Sequence, residues 1–118
     1  MQIVIWVLQG LLAAVFIFAG YGKLTGSKMH KENFIKWELP QWFRVFTGII
    51  EFGSAIMLIV GFWNDMWAVY GAIVLILVSI GGIFTHIRIR DSWRATMPIF
   101  SLGVIALLLF FLIIYSVG

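Results

Sequence analysis

The chain has no cysteine. Disulfides, thiolate metal centres, iron–sulfur clusters and CxxC electron relays within it are thereby excluded. Charge is scarce too: Asp, Glu, Lys and Arg make up 11 % of 118 residues, where soluble domains carry about 25 %. The apolar fraction is 63 %, against about 45–50 % in soluble domains. A soluble fold this small buries too modest a share of its surface to hide that much. The composition excludes a soluble globular domain, a disordered chain and a nucleic-acid module, and it demands a lipid solvent. The net charge of +3 does not reopen nucleic acid, because no basic helix with interleaved aromatics lies outside the apolar spans.

A bilayer core about 30 Å thick needs roughly 20 apolar residues in a helix. Four stretches qualify: about Ile3 to Gly22, Phe43 to Phe62, Trp67 to Ile87 and Pro98 to Val117. Backbone in lipid must satisfy its own hydrogen bonds, and the alternating polarity of a barrel is absent, so these read as helices. The first stretch has no basic segment before it and is longer than a signal-peptide core, so it reads as a retained helix. The expected fold is an all-α membrane protein, a four-helix bundle in one domain over 1–118, with a short interfacial helix in the first loop.

All eight Lys and Arg residues sit at one end. Lys23, Lys28, Lys31, Lys36 and Arg44 belong to the first loop and its borders, and Arg88, Arg90 and Arg94 to the third. The second loop, Trp63 to Trp67, has none, and neither terminus has any. The positive-inside rule places loops one and three in the cytoplasm and both termini outside a multi-pass cell membrane. Trp6, Trp37, Trp42, Trp63, Trp67 and Trp93 cluster at span edges, where an amphipathic ring suits the headgroup layer.

The connection from Lys23 to Trp42 is too long for a tight turn. Lys28, Glu32 and Lys36 at i, i+4 spacing form a solvated stripe beside Phe34, Ile35, Trp37 and Leu39. This predicts the interfacial helix, with Pro40 ending it and starting the second span.

Helices in lipid pack through small residues and turn polar groups away from the tails. Gln9, Ala13, Gly20 and Lys23 share a stripe on the first helix, Thr47, Gly48, Glu51, Ser54 and Ala55 on the second, and Gly71, Ser79, Gly82 and His86 on the third. Gly81-Gly82 reads as close helix packing. The fourth helix offers only Ser101 and Gly103, then an apolar run, so it faces lipid or a second copy.

Glu51 is the outlier. Counted from Arg44 at 1.5 Å per residue, it sits about 10 Å inside the span. A carboxylate there costs at least about 2.5 kcal/mol on insertion scales, so it needs a proton, a partner or a wet cavity. Lys23 and His86 are the candidate partners, because both close their helices at the same end. A polar cluster of Glu51, Lys23, His86, Thr47 and Ser54 is the expected site, either for a ligand or proton or as structural glue. Arg88, Arg90 and Arg94 are expected to hold lipid headgroups. His86 lacks a second ligand at helical spacing and His30 is in a loop, so no metal or haem is expected. No phosphate-binding glycine loop, nucleophile elbow or paired-carboxylate motif is present.

Three short motifs resemble those of the DoxX-like membrane proteins. Gly20-Tyr21-Gly22-Lys23-Leu24 resembles a G-x-x-K-L signature, and Gly48-Ile49-Ile50-Glu51 a G-x-x-E, with Pro40 before it and Gly53 after. His86-Ile87-Arg88-Ile89-Arg90-Asp91 with Met97-Pro98 is similar to H-x-R-x-G-D…P, with Arg90 where that pattern often has glycine. The resemblance covers nearly the whole chain, and its specificity lies in the order and spacing of the motifs. It implies a four-helix bundle without implying one activity. One branch is named for membrane subunits of a thiosulfate:quinone oxidoreductase, another belongs to a mycobacterial membrane complex with detoxifying enzymes, and distant animal relatives assist receptor assembly.

Two expectations of equal weight follow. One is a redox-associated subunit that binds a quinone or lipid-like molecule near Glu51, with electrons supplied by a partner. The other is a non-catalytic partner or assembly factor, working with another protein or as a homo-oligomer. A small multidrug exporter is disfavoured. Such exporters carry their membrane carboxylate in the first helix, and those inserting both ways need a weak charge bias, which this chain lacks.

Overall fold

The computed structural model describes residues 1–117. Five helices follow one another: α1 (Gln2–Thr25), α2 (Lys28–Lys36), α3 (Gln41–Val60), α4 (Asp65–Arg88) and α5 (Trp93–Val117). Four of them, all but α2, are long and apolar enough to cross a membrane. The short α2 lies between the first two spans, as the amphipathic pattern of the loop predicts. Pro40 is extended (φ −68°, ψ 154°) and caps α3. That conformation suits a residue with no N–H to give, just before a helix begins.

The four long helices close into a ring. α1 packs on α3, α3 on α4, α4 on α5, and α5 more lightly back on α1. In lipid there is no hydrophobic drive between helices, so packing and hydrogen bonds must hold the ring. Its interior carries Leu12, Phe16, Leu58, Leu75 and Leu109, all essentially inaccessible. Gln9 adds a polar tie, donating through Nε2 to the Leu58 carbonyl at 2.7 Å. On α5, Ala106, Leu109 and Ile113 turn inward at helical spacing, while Leu107, Leu108 and Phe111 stay exposed.

Two expectations are corrected. α5 begins at Trp93, not Pro98, because the Ser92 hydroxyl accepts from the Ala95 N–H and caps the helix. Pro98 then lies inside α5, where it forfeits a single intrahelical bond. Only one of the paired glycines packs closely. A Cβ at Gly82 would come within 2.9 Å of Ile99, whereas one at Gly81 would meet nothing within 4 Å.

The α1, α2 and α4 helices end in the same way. Beyond each, one residue turns left-handed and the next N–H bonds to the carbonyl five residues earlier. These residues are Gly26 (φ 72°), Glu38 (φ 58°) and Arg90 (φ 56°). The closing bonds are Ser27 N–H to Gly22 O, Leu39 N–H to Phe34 O, and Asp91 N–H to His86 O, each 2.9 Å. The left-handed region strains any residue with a Cβ, which is the physical reason a glycine suits position 90. Arg90→Gly is expected to raise stability by about 0.5–1 kcal/mol in thermal unfolding in detergent, after the entropy glycine adds to the unfolded chain. Arg90→Ala removes the charge and keeps the strain, so an equal gain from alanine sinks this account.

Candidate functional site

The site begins where α1 crosses α3. A Cβ at Gly20 would lie 3.0 Å from the Gly48 carbonyl oxygen, and one at Gly48 would lie 3.1 Å from that of Gly20. Only two glycines allow backbones this close. Three residues on along each helix stand Lys23 and Glu51. α1 and α3 run antiparallel, so these steps lead to opposite sides of the crossing, and the Lys23 stem, whose Cβ lies 2.9 Å from where a Gly48 Cβ would be, runs over Gly48 to bring Nζ 2.7 Å from Glu51 Oε1. The Glu51 side chain is 4 % exposed and that of Lys23 11 %. This explains both G-x-x-K and G-x-x-E: the glycine sets the distance and the charged residue uses it. Arg44 secures the crossing by donating from Nη1 to the Lys23 carbonyl and from Nε to Gln41 Oε1 at 2.8 Å.

On its other side Glu51 faces a cleft of 580 Å³ between α3 and α4. One end of the cleft is polar, with Lys23, Glu51, Thr47, Thr85 and His86. The rest of its wall is apolar, including Ile50, Val74, Leu77 and Val78. Phe46, Leu77 and Phe84 line the cleft and are also exposed on the flank of the bundle, so it opens sideways. Gly81, with open space where a Cβ would be, widens it.

Phe34 of α2 and the following Trp37 and Leu39 cover the polar end. A latch to α4 holds this cover in place. Arg88 donates from Nη2 to the Trp37 carbonyl, and the Trp37 ring stands edge-on to the His86 ring at 5.5 Å. Lys36 Nζ lies 3.4 Å from Asp91 Oδ2, and the same oxygen lies 2.8 Å from His86 Nδ1. The left-handed turn at Arg90 is what swings Asp91 back over the end of α4. The hydrogen bond from His86 holds the Asp91 carboxyl below its ordinary range. Burial pushes the other way as the next largest influence, and the Ser92 N–H and then Lys36 add to the downward pull.

Among the sequence-predicted site residues, Lys23, Glu51, Thr47 and His86 meet on one cleft, and Ser54 does not. Ser54 is buried where α3 meets α4. Its hydroxyl donates to the Ile50 carbonyl at 2.7 Å, and its own carbonyl lies 3.0 Å from where a Gly71 Cβ would be. His86 pairs with Asp91 rather than with Glu51. The Thr47 hydroxyl donates to the Phe43 carbonyl, which leaves its oxygen as an acceptor. Arg88, Arg90 and Arg94 are all exposed at the basic end, and Arg88 also donates to the latch. Sequence reasoning missed Asp91 and Arg44 as site partners, and it placed Trp37 in the headgroup layer instead of over the cleft. The signal for Asp91 was its fixed place five residues after His86. The other two depend on where α2 docks.

That docking leaves His30 in an electropositive niche. Its ring lies 2.8 Å from where a Gly22 Cβ would be, and its buried Nδ1 has no partner among the described residues. Burial pushes the imidazole below its ordinary pKa, and the charges of Lys23 and Arg44 push the same way. An unfolded His, near about 6.5, then takes up its proton before the folded one. The contribution of neutral His30 is present above that value and is lost as pH falls from there through the folded pKa. The melting temperature in detergent is expected to drop between about pH 7 and 5, with a flatter profile in His30→Gln. An equal drop in that variant would falsify the assignment to His30.

Comparison with known proteins places the chain beside a family and a curated relative. The profile of the DoxX-like family matches residues 7–112. The Bacillus subtilis (strain 168) protein YdgD, itself uncharacterised, is 31 % identical over 81 residues, which cover 67 % of this chain and 71 % of that protein. No solved structure matches.

Proposed function

The chain belongs to the DoxX-like family of membrane proteins, and from that premise we propose that its bundle holds one amphipathic molecule of the quinone or lipid-like class. The head of that molecule sits among Lys23, Glu51, Thr47 and His86, and its tail follows the apolar wall between α3 and α4. The observation that carries this reading is the cleft itself. Its 580 Å³ falls within the range of small-molecule sites, about 300–1,000 Å³. It is polar at one end, greasy along its length and open towards the flank where lipid tails would lie. A soluble substrate would meet the cover of α2 instead. The role that follows is a redox-associated membrane subunit whose electrons come from a partner, with the basic end facing the cytoplasm.

A second reading has one observation in its favour. The Lys23–Glu51 pair lies at the glycine crossing of α1 and α3, where it also serves as structural glue for a partner-binding or assembly protein. Native mass spectrometry of gently extracted protein separates the two. The ligand reading expects a retained quinone or lipid-like mass in the parent that is several-fold reduced in Glu51→Gln; that variant strips one partner from the buried pair and melts lower on either reading, so the retained mass decides. An empty parent bundle carrying only a protein partner favours assembly.

A further inference from the structure

The charges around the cleft restrict what its ligand can be. Three titratable side chains line it: Lys23, Glu51 and His86. Lys23 is matched by Glu51. The nearby cations are engaged elsewhere: Arg88 at the Trp37 carbonyl, Lys36 at Asp91, and Arg44 at the Lys23 carbonyl and Gln41. No unmatched cation faces the cleft among the described residues. A phosphate or carboxylate head would lie beside the Glu51 carboxylate with nothing to neutralise it, and in a low dielectric that is strongly unfavourable. The cover formed by Trp37 and Leu39 also keeps such a head from reaching the exposed arginines.

The hydrogen bonds restrict it further. A carboxylate only accepts, and it has room for about four donors. Among the described residues Lys23 is the one donor beside the Glu51 carboxylate, with Nζ 2.7 Å from Oε1. No second donor reaches either oxygen among the described residues. A carboxylate this buried is short of donors, and the cleft is where one can arrive. Thr47 cannot supply it, because its proton is committed to the Phe43 carbonyl.

We infer that the cleft selects an amphiphile whose head is uncharged and carries a hydroxyl, which donates to Glu51 and accepts from Lys23. Within the quinone class this favours the reduced, dihydroxy ring over the oxidised ring, which has only acceptors. The inference rests on the reading of the cleft as a ligand site and goes beyond it by fixing the chemistry of the head.

The test uses the intact wild-type protein in neutral detergent and probes that share one tail. para-Dodecylphenol has the hydroxyl. para-Dodecylanisole, its methyl ether, keeps the oxygen that Lys23 can reach and loses only the donor. Dodecyl phosphate is the anion, and monododecanoylglycerol carries its hydroxyls on a glyceride head. Binding is read by native mass spectrometry and by displacement titration. The phenol or the glyceride should bind about tenfold or more tightly than the ether, as expected for one hydrogen bond to a charged acceptor. The phosphate should bind more weakly than the phenol. Preference for the phenol indicates an aromatic head, and preference for the glyceride a glycerolipid head. Equal binding of phenol and ether overturns the hydroxyl, and tightest binding of the phosphate overturns the neutral head. Binding of none of the probes overturns the ligand site itself. In Glu51→Gln, whose amide is a weaker acceptor, the preference of phenol over ether should shrink several-fold while binding of the ether holds. An unchanged preference there overturns the role of Glu51.

Discussion

Replacing Lys23 with methionine is expected to destabilise the bundle by about 3–5 kcal/mol, the usual cost of stripping one partner from a buried ion pair. Methionine keeps an unbranched apolar stem beside Gly48, so the packing at the crossing survives and the loss reports on charge. Glu51 is then left alone about 10 Å inside the span. Its alternatives are to take up a proton, or to draw water or the helix end toward it, and each costs free energy that Lys23 had offset. The double variant Lys23→Met/Glu51→Gln should recover most of the loss, because it removes the uncompensated charge and leaves only the unmatched amide. Unfolding in mixed micelles gives all corners of this double-mutant cycle. A single variant within about 1 kcal/mol of the parent would mean that the pair does not fix α1 on α3.

How much of this could be read in advance depends on which kind of information each feature needs. The spans follow from hydropathy, because lipid leaves a backbone few options. α2 follows from the charged stripe of Lys28 and Glu32, which lie 4.0 Å apart and exposed. Lys36 continues that stripe in sequence but turns to Asp91 instead, because α4 brings an acid within reach. Lys23 was legible as one of two candidate partners of Glu51, since it and His86 close their helices at the same end, and the structure pairs Glu51 with Lys23 and His86 with Asp91.

Periodicity identifies a face and not the neighbour it meets. Glu51 and Ser54 lie on one stripe, yet one looks toward α1 and the cleft and the other toward Gly71 of α4. The α4 stripe divides likewise: Gly71 abuts α3 while Gly82 abuts Ile99 of α5. The cleft is invisible to such reasoning, because it is made by what fails to touch. Gly81 read as a packing residue, and its missing side chain instead widens a space. The partner of His86 was hidden for another reason. It depends on one left-handed residue, Arg90, at which a side chain is strained and which pattern reasoning assigns to the surface.

Gly48→Ala is the second large effect. The added methyl carbon would lie 2.9 Å from Lys23 Cβ, 3.1 Å from the Gly20 oxygen and 3.1 Å from the Leu24 nitrogen. Two of these are backbone atoms of α1 and cannot rotate aside, so the helices must separate. Overpacking of this kind costs about 1–3 kcal/mol, and in lipid no hydrophobic gain from the methyl repays it. Gly53→Ala is the matched control. It lies on the same helix with nothing within 4 Å of the new carbon, so it should be neutral or stabilising by up to about 1 kcal/mol through helix propensity. The difference between the two alanines isolates the crossing from the helix. It also separates the crossing from the ion pair. Moving the helices apart at Gly48 stretches the Lys23–Glu51 contact without removing a charge, so Gly48→Ala and Lys23→Met should be less than additive when combined. Strict additivity would mean that the glycines and the charged residues do unrelated jobs. The step of three that links Gly20 to Lys23 and Gly48 to Glu51 would then be a coincidence of spacing.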